Sequence, residues 1–140
     1  SLNLRSLELS LRRQFAFSEN SEYADGVAEH RLCNEVALAL SACNTVLEGM
    51  GEDPLHIAVE GHTWHRQPRR EVVLRSKERA ERVRSDIASA LASVWVSESV
   101  RGEADVAALF SVAGFGGDQG KGSQVELRVM APAEAEAHHQ

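Results

Sequence analysis

Leu32, Val36, Leu40, Cys43 and Leu47 recur at spacings of 4, 4, 3 and 4, the stripe one face of an α-helix presents to a core. This predicts a helix over residues 25–47, with Gly49 and Gly51 supplying its stop. A second stripe of Val73, Ala80, Val83, Ile87, Leu91 and Val94 predicts another helix over about 70–94. Between them, after Pro54, the run Leu55-His56-Ile57-Ala58-Val59-Glu60 is short, rich in β-branched residues and closed by Gly61. It reads as a strand. Ahead of the first helix, Leu7, Leu9, Leu11, Phe15 and Phe17 alternate imperfectly; the end of that segment reads as strand and 18–25 as the loop after it. A polar turn containing Pro68 precedes the second helix. Residues 97–105 read as a linker into a third strand within 106–113, strand at least in its second half. Gly114, Gly116, Gly117, Gly120 and Gly122 predict a hairpin-type connection needing positive φ, and 125–130 the last strand.

The order β-α-β-α-β-β, without an internal repeat, predicts an α+β two-layer sandwich with two helices packed on one face of a small mixed sheet. A chain of 140 residues is expected to form one domain over 1–130, with the Ala/Glu/His-rich stretch 131–140 a flexible tail. It opens on Ser1, with no charged-then-apolar signal segment, and is expected to be a processed protein or an excised domain.

Composition narrows the classes. Apolar residues are 43% and charged residues 26%, which excludes a disordered tail. The longest uncharged runs, 36–47 and 106–117, fall well short of the ~20 residues of a spanning helix. The net charge of −6 speaks against a nucleic-acid module of uniformly basic surface. That total hides a split: residues 64–84 hold eight basic and three acidic side chains, +5, which leaves −11 for the remainder. Cys33 and Cys43 lie ten residues apart on one predicted helix, about 15 Å, too far for a disulfide. Two buried, unpaired thiols mildly favour a reducing compartment.

Motifs for chemistry are sparse. The glycine-rich turn departs from a phosphate loop: five residues separate Gly114 from Gly120, Lys121 is followed by Gly122, and a strand rather than a helix comes next. His56, Glu60, His62 and His65 lack the spacing or cysteine partners of a zinc site. The cysteines sit on a packed helix face, and there is no Gly-x-Ser-x-Gly elbow. The expectation is a non-enzymatic protein without cofactor or metal.

One constellation stands out: a strand, Gly61-His62-Thr63, a turn, then a helix carrying Arg75-Ser76-Lys77-Glu78-Arg79-Ala80-Glu81-Arg82-Val83. With these residues the chain resembles the OmpA-like domain, the module with which many bacterial envelope proteins bind peptidoglycan. That family reads as apolar strand, Gly-His-Thr-Asp, a short loop, then Asn-x-x-Leu-Ser-x-x-Arg-Ala-x-x-Val. Arg79 falls fifteen residues after position 64, the family spacing. Phe15-Ala16-Phe17-Ser18-Glu19-Asn20-Ser21 is similar to the family's first strand and following loop. Val112-Ala113-Gly114-Phe115-Gly116 is similar to its third strand and Gly-aromatic-Gly turn, and Val125-Glu126-Leu127 to its last strand. The resemblance spans about 11–129 and implies the same β-α-β-α-β-β fold.

It implies a site as well. In the family, the Asp after Gly-His-Thr and the helix Arg hold the zwitterionic end of diaminopimelate, because an ammonium needs a carboxylate and a ligand carboxylate suits a guanidinium fork. Here Arg79 matches the Arg, but Trp64 stands at the Asp position. Val72 replaces the helix-start Asn, Arg75 the Leu before Ser, and Gly122-Ser123-Gln124 the family's Asn-Arg-Arg; the loop ahead of them is shorter. Losing the Asp removes a charge-assisted pair worth about 1.5–3 kcal/mol. The candidate ligand-binding residues are therefore Gly61, His62, Thr63, Trp64, Arg75 and Arg79. Three readings stay open. Trp64 caps the sheet edge or packs on Pro68 while the arginines solvate the helix, as the i,i+4 pair Glu78–Arg82 suits. Alternatively Trp64, Arg79 and Arg75 or Arg66 form a remodelled pocket for an anion, or Trp and Arg anchor a protein surface.

Two functions follow as expectations. One is a binding domain with a degenerate diaminopimelate site, serving as a scaffold or interaction module for a protein partner. The other is a working module that anchors its parent protein to the cell wall through Arg79. The expected partners are a cell-wall peptide or another carboxylate-bearing ligand, and a protein; neither nucleic acid nor a spanned membrane is expected. The resemblance implies the cell envelope or periplasm in a bacterium, and otherwise a compartment without peptidoglycan.

Overall fold

Asp25 is extended (φ −137°), and its Oδ1 accepts the backbone N–H groups of Val27 and Ala28 at 3.1 and 3.2 Å. Helix-start donors of this kind have no carbonyl one turn back, so the carboxylate fixes where α1 (Gly26–Gly49) begins. At its other end Gly51 takes φ 75°, and the N–H groups of Met50, Gly51 and Glu52 return to carbonyls of residues 46–48, closing the helix. The computed structural model describes residues 11, 12, 14–18, 23–63, 69–95, 102–117 and 122–130. The expected tail at 131–140, and Trp64, Arg66 and Pro68, lie outside the described residues.

The elements after β1 (Phe15–Ala16) and α1 are β2 (Ile57–Gly61), α2 (Arg69–Val94), α3 (Glu103–Ala107), β3 (Phe110–Gly114) and β4 (Gln124–Val129). The fold is α+β, with the four strands in one mixed sheet of order β1-β4-β2-β3. β4 runs antiparallel to both β1 and β2, while β2 and β3 are parallel. Side chains alternate across a strand. Ile57 and Val59 of β2 and Val125 and Leu127 of β4 join the core, whereas Glu60 and Arg128 form an ion pair (3.2 Å) on the other face. The core is completed by Leu32, Val36 and Leu40 of α1 and by Val83, Ile87 and Leu91 of α2. Cys33 and Cys43 are buried, and neither forms a disulfide. None of the described helices is long and apolar enough to cross a membrane.

Three expectations are corrected. Residues 103–107 form α3 where a linker was expected up to 105: Gly102 precedes it, Glu103 and Asp105 lie in its first turn, and Val106 alone of its residues is buried. β3 starts at Phe110, in the second half of 106–113 as expected. Acidic side chains suit a helix start. The glycine-rich turn is no hairpin, because β2 lies between β3 and β4. Positive φ is nevertheless used at Gly116 (58°) and Gly122 (78°). Finally, Val94 is 46% exposed and Trp95, at 4%, enters the core instead.

Candidate functional site

Gly61 and Gly114 are register neighbours at the ends of parallel strands β2 and β3. A Cβ on Gly114 would lie 2.6 Å from the Val73 carbonyl oxygen and 2.7 Å from the Lys77 nitrogen; one on Gly61 would overlap the Ser76 carbonyl. The backbone of α2 therefore rests directly on the sheet at this point. Ser76 locks the contact: its hydroxyl donates to the Val73 carbonyl (2.7 Å) and accepts the Gly116 N–H (3.0 Å). Arg79, three residues on, is thereby held over the strand ends.

Arg79 is only 2% exposed. Its Nη1 donates to the Ser123 hydroxyl and its Nη2 to the Ser18 carbonyl (3.0 Å), and its guanidinium carbon lies 5.7 Å from the centre of the Phe17 ring. Ser18 follows β1 and Ser123 precedes β4, so one side chain joins α2 to two strand ends. Burial, and then the like charge of Arg75, push the Arg79 guanidinium down from its ordinary range. It remains a cation at neutral pH, since arginine starts so far above it. Half-buried Arg75 gives this end of the sheet a second guanidinium, and such a pair attracts carboxylates and other anions.

The sequence-predicted residues do not all converge. Gly61, Thr63, Arg75 and Arg79 meet at this end of the sheet. Strand alternation instead sends the His62 side chain to the face away from the helices. There it is 1% exposed, stacks on Phe115 (centroids 5.5 Å apart, planes 15°) and brings Nε2 to 3.6 Å from Glu126 Oε2. The His62 and Gln124 backbones exchange two hydrogen bonds (2.8 and 3.2 Å), and the Thr63 N–H donates to the Gly116 carbonyl (2.8 Å). Gly61-His62-Thr63 thus builds the end of the sheet mainly through its backbone. Period-two alternation from Ile57 carried the signal that Gly61 and His62 point apart. Phe17, Ser18 and Ser123 lie in segments that the resemblance picks out, but that they surround Arg79 becomes visible only once the chain is folded.

A second polar cluster lies between α1 and α2, in a cleft of about 460 Å³ lined in part by Tyr23, His30, Cys33, Arg82 and Asp86. The Tyr23 hydroxyl donates to Asp86 (2.6 Å), Arg82 pairs with the same carboxylate (3.0 Å), and its guanidinium lies 4.8 Å from the Tyr23 ring centre. Burial first, and the Asp86 charge second, push the Cys33 thiol up to about 12; burial also raises Cys43. Neither thiol is a ready thiolate at neutral pH. Among the described residues, no group of three or more His, Cys, Asp or Glu side chains comes together to hold a metal ion. In comparisons with known proteins, no family model matches the chain and no curated protein matches it.

Proposed function

We propose that this chain is a non-catalytic binding domain of the OmpA-like kind in which Arg79 has passed from ligand recognition to holding the fold. On this reading the diaminopimelate site is degenerate, and the domain serves as an interaction module for a protein partner. One observation carries it: the Arg79 guanidinium is buried and donates to Ser18 and Ser123 of its own chain. A ligand carboxylate would have to displace contacts of about 1.5–3 kcal/mol each. Trp64 at the position of the family's Asp supports the same view, because it offers an ammonium no carboxylate.

The alternative is a working wall-binding module. The like-charged Arg75 beside Arg79 favours it, since two adjacent guanidinium groups suit an anionic ligand. Calorimetric titration with diaminopimelate-containing muropeptides separates the two, using wild type, Arg75→Ala and Trp64→Asp. The degenerate site predicts no binding by wild type up to roughly 1 mM, the weak end of specific association. Binding tighter than that, weakened in Arg75→Ala, establishes the alternative. Binding gained only in Trp64→Asp would locate the loss of function at that one position.

A further inference from the structure

The two long helices differ on their outward faces. α2 exposes Arg70, Glu71, Lys77, Glu78, Glu81 and Arg82, with Leu74 (58% exposed) standing singly among these charges. α1 has no charged residue between Glu35 and Glu48, yet Leu38 is 59% exposed and Ala42, Thr45 and Val46 are exposed too. Leu38, Ala42, Val46 and Met50 stand four residues apart, and that spacing makes one continuous ridge. Met50 is 66% exposed and Val46 38%. Val94, 46% exposed, lies alongside, because the Ser41 hydroxyl donates to its carbonyl at 3.3 Å. An uncharged, apolar ridge on an otherwise solvated helix marks a contact surface.

We propose that this ridge is a homodimer interface, covered by the same ridge of a second copy running antiparallel about a two-fold axis at Ala42. The surface stands apart from the Arg79 end of the sheet, so the proposal holds whichever function that end serves. Two-fold pairing about residue 42 sets Leu38 against the second copy's Val46, and Val46 against its Leu38. At the axis itself Ala42 meets its own copy, and its small side chain lets the backbones approach.

Charge selects the antiparallel direction. Exposed Arg31 lies before the ridge, while exposed Glu52 and Asp53 follow it. Antiparallel pairing places Arg31 opposite the second copy's Glu52 and Asp53 at both ends; parallel pairing would stack like on like. A shallow crossing of about 20° keeps those ends within reach of a long arginine side chain. The interface is isologous, so it closes at two copies and does not propagate.

The test is sedimentation velocity on the full chain from about 10 μM to 1 mM, a range that brackets weak specific association. A concentration-dependent dimer is expected. Leu38→Glu, at a solvent-exposed position, should weaken it about tenfold or more, with circular dichroism confirming the fold. Arg31→Glu should weaken the dimer as well, and Glu52→Arg with Asp53→Arg should restore it in that background. Ala42→Cys should cross-link to itself under an added copper oxidant, whereas Glu78→Cys on α2 should not. A chain that stays monomeric throughout, because another segment of itself covers the ridge or because water does, overturns the proposal. So does a dimer indifferent to Leu38→Glu and not cross-linked through position 42.

Discussion

At Gly61 the absence of one methyl group decides how closely α2 can lie on the sheet. A Cβ there would overlap the Ser76 carbonyl and stand 2.7 Å from its carbon, and backbone cannot swing aside as a side-chain tip can. Gly61→Ala is therefore expected to cost about 3 kcal/mol, the upper part of the usual overpacking range, measured as a lowered urea midpoint. An unchanged midpoint would mean that α2 lifts without loss and that the glycine is not a packing requirement. The buried thiol gives a second test, in pH. Burial and the neighbouring Asp86 charge raise Cys33 from 9.0 to about 12, so the folded chain keeps a proton that the unfolded chain releases. Its contribution is complete below about pH 9 and is lost as pH climbs toward 12, at about 1.4 kcal/mol per pH unit for one such group. Tyr23, shifted in the same direction by burial and by Asp86, steepens the loss above its own ordinary range. Urea titrations between pH 7 and 11 should show stability falling from about pH 9, less steeply in Cys33→Ala; a flat wild-type profile would show that the thiol titrates as if exposed.

Among the elements, α1 depends most visibly on a single residue outside it. Asp25 satisfies two donors of its first turn, and Asp25→Ala is expected to cost about 1 kcal/mol, seen as a lower melting temperature. No change would mean that water replaces the carboxylate without penalty. α1, β2 and α2 were legible in the sequence because their cores repeat with the period of their own backbone: Leu32, Val36 and Leu40 at four, Ile57 and Val59 at two. α3 was not, because five residues with one buried side chain, Val106, contain no repeat to read. The turn after β3 was half legible. Glycines at 116 and 122 announced positive φ, a local property, but which strand lies next to which is decided by parallel pairing across the chain, and no turn residue encodes it. The site followed the same rule. Arg79 was recognisable by its spacing from Gly61-His62-Thr63, whereas its partners Ser18 and Ser123 lie 61 and 44 residues away.

Across the whole molecule, those separations give Arg79 its role. The basic stretch that hides inside a net charge of −6 lies largely along α2, and Arg79, its one deeply buried member among the described residues, reaches off the helix to the ends of β1 and β4. β2 is paired on both sides, by β4 and β3, and carries α2 on one face; its amides should exchange with solvent only when the whole fold opens. β1 has two residues; it pairs with β4, and beyond that the Ala16 carbonyl accepts the Ala24 N–H (3.0 Å) and Phe17 bridges Tyr23. The Phe17 N–H that extends it bonds the carbonyl of Ser123, whose hydroxyl Arg79 holds. Removing the guanidinium with Arg79→Met should therefore loosen this edge before it loosens the centre. Losing even one of its charge-assisted bonds lowers the local opening cost by about 1.5–3 kcal/mol, which corresponds to at least roughly 10- to 100-fold faster exchange at Phe17. Amides of β2 should accelerate only by the drop in global stability, which the same sample's urea midpoint supplies independently. Equal acceleration in β1 and β2 would show that the edge opens only with the entire sheet. No acceleration at Phe17 would show that β1 is held by its own packing, and Arg79 would then be left with its charge to offer a ligand.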